Sequence, residues 1–207
     1  TVEVIGTTPL PGIGVPLSQV PANVQTATGA QIEKQKTLSL SDYLENNLGS
    51  VTLNHGQNNP FQPDVNFRGL TASPLLGTPQ GLSVFLDGVR VNEPFGDVVN
   101  WDLIPQNAIS TVTLIPGSNP VFGLNTLGAA LSVNTKSGFQ YPGASVSFSG
   151  GSWGRKGAEF EYGTHSDKTD LFLAGNYVDE DGWRQHSPSR VQTVFGKAGW
   201  EREDTDI

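Results

Sequence analysis

Apolar side chains recur at every second position through residues 144–200, and this period constrains the fold more than any other feature of the chain. Val146 and Phe148 alternate with Ser145, Ser147 and Ser149, and Ala158, Phe160 and Tyr162 alternate with Glu159 and Glu161. Leu171, Leu173, Gly175 and Tyr177 hold one phase of a third segment, and Val194, Gly196, Ala198 and Trp200 one phase of a fourth. Successive side chains of a strand point to opposite faces, so a period of two predicts strands with one apolar face. Turn residues separate the segments at Gly150-Gly151-Ser152, His165-Ser166-Asp167 and Asp181-Gly182. Segments of about ten residues suit membrane-barrel strands whose outer face meets lipid. Four strands of a soluble antiparallel sheet share the alternation, so both readings stand at this point. Barrel closure takes about eight strands, and the chain therefore reads as cut short.

Composition supports a turn-rich β protein. Glycine accounts for 25 of 207 residues and charged residues for 15%, against about 7% and 25% in ordinary soluble domains. With 12 basic and 20 acidic residues the net charge is -8, which argues against nucleic acid as the main partner, because phosphate binding needs a basic face. No cysteine is present, which removes disulfides, thiol catalysis and cysteine-ligated metals. No apolar run reaches the roughly 18 residues of a membrane helix. Aromatic residues mark a change of architecture near Gly138 to Gly143: the first 140 residues carry 8 and the last 67 carry 10. We place the domains at 1–22, 23–140 and 141–207.

Residues 1–140 read as a small α+β module with short helices and long loops. Thr1 to Ile5 is strand-prone, and the Pro/Gly-punctuated run to Pro21 forms an extended leash. Strands are expected at Asn23–Ala27, Ser50–Asn54, Asp64–Arg68, Leu82–Leu86, Val89–Val91, Ile109–Ile115 and Ala130–Thr135. A helix is expected at Gln31–Lys36. A second should start from Ser39 as N-cap with Asp42 at capping-box spacing, bury Leu40, Tyr43, Leu44 and Leu48, and end at Gly49. Asp87-Gly88 between apolar runs predicts a two-residue hairpin.

Catalytic motifs are lacking. His55, His165 and His186 have no metal-motif spacing, Asp179-Glu180-Asp181-Gly182 lacks the ligand pattern of a calcium loop, and no phosphate loop or nucleophile elbow occurs. Glu93, Asp97 and Asp102 sit in a Pro/Gly loop, which suits a solvated or ligand-facing role better than paired acid/base work. The chain reads as a non-enzyme without cofactor or metal. The loop from Asn54 to Gln62 groups amides around Phe61, a composition suited to neutral polar ligands or chelates.

The order of segments is more specific than any one of them. Asp64-Val65-Asn66-Phe67-Arg68-Gly69-Leu70, then Val84-Phe85-Leu86-Asp87-Gly88-Val89-Arg90-Val91-Asn92, then Ile104-Pro105 with Ile109-Ser110-Thr111-Val112, then Pro116-Gly117 to Phe122-Gly123, then Leu127 to Lys136 resembles the plug domain of TonB-dependent outer-membrane transporters over about residues 23–138. Residues 144–207 resemble the first strands of the barrel that follows such a plug, which favours the lipid-facing reading.

The resemblance implies an α+β plug followed by antiparallel strands of a truncated transmembrane β-barrel, in the outer membrane of a Gram-negative bacterium, with the plug in the lumen and the N-terminus periplasmic. It implies uptake of a scarce ligand such as an iron-siderophore or cobalamin-like chelate, with TonB and outer-membrane lipid as further partners. Outward loops at His55–Gln62, Thr71–Gln80 and Asn92–Trp101 would contact ligand through His55, Gln57, Asn58, Asn59, Phe61, Gln80, Glu93, Phe95 and Trp101. Thr1, Val2, Glu3, Val4 and Ile5 are similar to the family's TonB box, which adds as a strand to its partner. Two departures stand out. Pro116 occupies the place of the second plug arginine, leaving Arg68 as the one candidate for an ion pair with barrel carboxylates, and the paired glycines of the last plug strand read Gly128-Ala129-Ala130. The alternative is a soluble β-rich binding or adhesion module.

Overall fold

The computed structural model describes residues 4–5 and 15–200, so Thr1, Val2 and Glu3 lie outside the described residues. The chain divides into two units: Thr1–Ile104 with Ile109–Thr135, and Pro105–Ala108 with Lys136–Ile207.

In the first unit β1 (Val4–Ile5) and β2 (Val15–Pro16) form a two-residue antiparallel ladder. β3 (Gln25–Thr28) leads into helix α1 (Gly29–Gln35), and α2 (Leu40–Asn47) follows. β4 (Val51–Asn54), β5 (Asp64–Phe67) and β6 (Leu70–Ala72) make a three-stranded antiparallel sheet. β7 (Leu82–Leu86), β8 (Val89–Arg90), β9 (Ile109–Pro116) and β10 (Ala129–Thr135) join β3 in a mixed sheet of order β3-β9-β10-β7-β8, in which only the central β10–β7 pair is parallel.

Helix α1 starts two residues before the expected Gln31. Thr28, not a later residue, caps it: the Gln31 N–H donates to Thr28 Oγ1 at 3.4 Å, and the Thr28 N–H donates to Gln31 Oε1 at 2.8 Å. Lys36, at φ 51°, lies past the end as a left-handed cap. The second helix is capped by Ser39 as expected, with the Asp42 N–H donating to its Oγ at 3.2 Å, and buries Leu40, Tyr43 and Leu44. Burial lifts the Asp42 carboxyl above its ordinary range, opposed by its hydrogen bonds to Ser39. Gly49 does not terminate this helix in a left-handed turn. Leu48 becomes extended instead, and Gly49 exchanges two hydrogen bonds with the Gln25 amide.

The central strands are covered on both faces, which explains their nearly continuous apolar runs. Leu82 and Val84 of β7 pack with Leu131 and Val133 of β10, Phe67 and the helical Ile32 and Leu44 on one side. Phe85, Ile115, Ala130 and Phe122 pack on the other, with the Phe85 and Phe122 rings 5.8 Å apart. Both Asp87 and Gly88 take positive φ, 47° and 81°, as a type I′ hairpin requires. The Asp87 carboxylate also accepts from the Thr135 N–H at 2.8 Å and from Thr135 Oγ1 at 2.5 Å, which ties the hairpin to the end of β10. A second hairpin turns at Arg68-Gly69, at φ 52° and 88° between the Phe67–Leu70 pair, so Arg68 is a turn residue and not the last residue of a strand.

The second unit is an antiparallel meander of β11 (Gly143–Gly150), β12 (Lys156–His165), β13 (Thr169–Glu180) and β14 (Ser189–Trp200), not closed into a barrel. Its register stacks the predicted phases across the sheet: Val146 faces Phe160, Phe160 faces Gly175 and Gly175 faces Val194, while the next row runs Ala144, Tyr162, Leu173 and Gly196. Val146, Phe148, Phe160, Tyr162, Val194 and Trp200 are all exposed. Gly175 lets the Phe160 ring lie over it, since a Cβ would come 2.1 Å from that ring and force it to move. The opposite face carries Glu159 and Glu161 beside a buried cluster of Phe172, Ala174 and Ala108. Lys136, whose side chain is 3% exposed, donates to Glu161 Oε2 at 2.7 Å, and the Asn107 amide donates to the carbonyls of Phe160 and Gly175. No helix among the described residues is long and apolar enough to cross a membrane, which says nothing of strands.

Gly29 provides a test of the first unit. A Cβ at this helical residue would sit 2.2 Å from the Ile109 carbonyl oxygen, whereas at Gly56 it would meet only the Asn54 amide at 4.0 Å. Gly29→Ala should destabilise the fold by about 1–3 kcal/mol through overpacking against backbone that cannot yield, while Gly56→Ala leaves the denaturation midpoint within experimental scatter. Equal midpoints for the two variants would show that α1 is free to shift off β9.

Candidate functional site

Strand directions bring four connectors of the first unit to one end. β7 and β10 are parallel and begin in register, Leu82 opposite Ala129, so the segments entering them, 73–81 and 117–128, emerge together. The Leu127 and Gly128 N–H groups both donate to the Gly81 carbonyl. The segment after β8 returns to the same end: the Asn92 amide bridges the Leu82 carbonyl and the Val84 N–H, and the Val99 N–H donates to the Ser73 carbonyl at 3.0 Å. Gln62, in the β4–β5 connector, donates to Asp102 Oδ1 at 2.9 Å and adds the fourth loop.

An ion-paired network holds this pole. Arg90 donates to Asp97 Oδ1 at 2.8 Å and to Ser83 Oγ at 3.2 Å, Asn125 donates to Asp97 Oδ2 at 2.7 Å, and Ser83 meets Thr126 at 2.6 Å. Hydrogen bonds to ionised groups are the stronger kind, and here they join three chain segments.

The expected contact residues divide by burial. His55 and Gln57 are exposed at the first loop. Asn58, at φ 57°, and Asn59, whose Oδ1 accepts from the Phe61 N–H at 3.0 Å, are half-buried and shape that loop. Phe61 and Trp101 are buried, and the Trp101 Nε1–H donates to the Ala72 carbonyl at 3.1 Å, so both rings serve packing and present no face to the surface. Gln80 is a brace, bonded to the Ser73 N–H and to the carbonyls of Ser73 and Leu75. Glu93 is exposed and accepts from Asn100 at 2.5 Å, and Phe95 is 78% exposed. Arg68 lies outside this group. It is exposed at its hairpin, its guanidinium 4.9 Å above the Phe67 ring, with no carboxylate in ion-pair range among the described residues.

Sequence reasoning passed over the apolar part of the pole. Leu76 and Leu124 are 58% and 86% exposed, and Leu75 and Leu127 are exposed beside them in sequence. Leu76 lies directly over Gly96, where a Cβ would meet its Cδ2 at 2.1 Å, which brings it to the segment that carries Phe95. A Leu-Leu pair between Pro74 and Gly77 in an otherwise polar loop was the available signal. Among the described residues no group of three or more His, Asp or Glu gathers as metal ligands.

Comparison with known proteins bears on the fold. Residues 16–130 match the family described as TonB-dependent Receptor Plug Domain. Similar solved structures include the ferric-catecholate import receptor Fiu from E. coli K12, at 18% identity and TM-score 0.66 over 88% of this chain and 25% of that one. BauA, the ferric preacinetobactin receptor from Acinetobacter baumannii, is similar at 14% identity and TM-score 0.67, over 91% of this chain and 27% of that one. FpvA of P. aeruginosa, bound to a heterologous pyoverdine, is similar at 13% identity and TM-score 0.69, over 95% of this chain and 26% of that one. At these identities the likeness is one of fold, and the chain spans about a quarter of the length of each. No curated protein matched by sequence. With residues 16–130, more than half of its length, matching the family, the chain belongs to the TonB-dependent receptor plug-domain family.

Proposed function

We propose that the chain supplies the plug and the first four barrel strands of an outer-membrane importer that takes up a scarce chelate, iron-siderophore or cobalamin-like, with energy delivered through TonB. The observation that supports this most is the β11–β14 sheet: directly after a plug, the same chain makes an antiparallel meander in which one face carries an apolar band, with Val146, Phe148, Phe160, Tyr162, Val194 and Trp200 exposed. Trp153 and Trp183 are exposed at one set of its turns and Trp200 and Tyr162 toward the other, the arrangement of interfacial aromatic girdles around a lipid-facing band. The similar structures are described as receptors for ferric siderophores, which supports the ligand class.

In this reading the plug gates the lumen, its four-loop pole faces outward to the ligand, and Thr1 to Ile5 serves as the TonB box on the periplasmic side. Val4 and Ile5 pair with Pro16 and Val15 in a ladder of two residues. Such a short ladder is weak, so a longer strand from TonB would displace it by adding backbone hydrogen bonds. In the assembled receptor Arg68, exposed in this chain, would pair with carboxylates of the barrel, and burial of that pair would fix the plug.

Three experiments test the parts. Spin labels at 160 and 161 in the full-length receptor should report opposite accessibility to oxygen and to a polar quencher, and Phe160→Arg should cost about 2–4 kcal/mol near the midplane. Equal accessibility would sink the barrel assignment. Val4→Pro, which removes a donor and fixes φ, should abolish transport of radiolabelled ferric chelate while surface binding persists, as should loss of TonB. Transport that survives the substitution would move the box elsewhere. Arg68→Gln, which keeps a non-glycine residue at the positive-φ turn, should raise leakage of small antibiotics and speed hydrogen exchange along Asp64 to Gly69. Unchanged leakage and exchange would leave Arg68 a solvated hairpin residue.

A further inference from the structure

The pole has an uneven charge inventory. Segments 55–63, 73–81, 91–104 and 117–128 contain three carboxylates, Glu93, Asp97 and Asp102, and no Lys or Arg. The one cation at their base, Arg90, is committed to Asp97, and Asn125 takes the second oxygen of that carboxylate. Asp102 accepts from Gln62. Glu93 alone of the three is exposed, held by Asn100.

Beside Glu93 stand large apolar side chains held in place by folded backbone. Leu76 lies against Gly96, whose lack of a Cβ leaves room for it, and Phe95, the residue before that glycine, is 78% exposed. The loop bearing Leu124 is bound to the same segment through Asn125 and Asp97. Exposed apolar surface rimmed by polar groups marks an interaction site. Here the exposed carboxylate on that rim is Glu93.

We propose that this pole recognises a neutral or cationic small molecule with an apolar face and discriminates against polyanionic chelates. The proposal rests on the import reading above and names the class of ligand that the plug admits. Covering Leu76 and Phe95 removes apolar area from water, which only an apolar ligand face repays. The same closure excludes water around Glu93, where charge interactions strengthen as the local dielectric falls. An anion brought to these four loops meets a like charge, and among their described residues no Lys or Arg to bind it. A cationic group gains from Glu93 and from the open face of the Phe95 ring.

The test uses the full-length receptor in isolated outer membranes and three radiolabelled ferric complexes: a singly cationic linear trihydroxamate with a free amine, a neutral cyclic trihydroxamate and a triply anionic tricatecholate. The cationic and neutral complexes should bind at least about tenfold more tightly than the tricatecholate. Leu76→Ser and Phe95→Ser should each weaken the favoured complexes about tenfold. Glu93→Lys should weaken the cationic complex and strengthen the anionic one, opposite changes that a folding defect cannot produce. Tighter binding of the tricatecholate by the wild type, or an unchanged order in Glu93→Lys, would overturn the charge assignment while leaving import intact. Binding of none of the three by a correctly inserted receptor would overturn this proposal, whereas the import reading stands or falls on the Val4→Pro and TonB-loss transport experiments.

Discussion

The parallel pairing of β7 and β10 is the constraint from which the arrangement of the first unit follows. Parallel neighbours cannot be joined by a tight turn, so the chain between them must leave the sheet and return. Here that crossover includes β8, the stretch from 91 to 108, β9 and the loop 117–128. Because both strands start at the same end, their entry loops share a pole, and the return after β8 delivers Glu93 to Trp101 to it as well. Burial on both faces makes the pairing durable, since Val84 and Phe85 anchor opposite layers of core.

Polar chemistry then gives the pole its shape. Asp97 is shared between Arg90 and Asn125, and the Asn92 amide reads the backbone of β7, so the loop tips are positioned by groups set well back from them. Removing one member of such a partly buried network leaves its partner unsatisfied, a cost usually larger than the net worth of the bond itself. Rigid support of this kind lets large apolar groups such as Leu76 and Phe95 remain exposed without collapsing onto the core. Trp101 belongs to the support: its ring fills the core and its N–H holds the Ala72 carbonyl.

The second unit obeys a simpler rule. Side chains alternate between two faces, and the register aligns those of one phase into rows, with a glycine, Gly175, where the Phe160 ring lies across a neighbouring strand. The other face mixes carboxylates with the Phe172–Ala174–Ala108 cluster and the buried Lys136–Glu161 pair.

Periodicity, turn chemistry and caps are local properties, and they were legible. The period of two determined β11 to β14, Asp87-Gly88 determined its hairpin because few other residues accept two consecutive positive φ angles, and Ser39 determined the start of α2. Segment order was enough to identify the family. Burial within loops was not legible, because it depends on what folds over each residue. The resemblance implied Phe61 and Trp101 as ligand contacts, yet the tertiary structure turned both rings inward, while Leu76 and Leu124 were left exposed. Arg68 likewise read as the end of a strand, and only its pairing partners, Phe67 with Leu70, made it a turn. The pairing of Arg90 with Asp97 joins residues seven apart, but the exposure of Glu93 without a cation emerged only when four loops distant in sequence met at one end of the sheet. Local sequence determines conformations over a few bonds, whereas exposure and electrostatic environment are sums over neighbours that only the folded chain supplies.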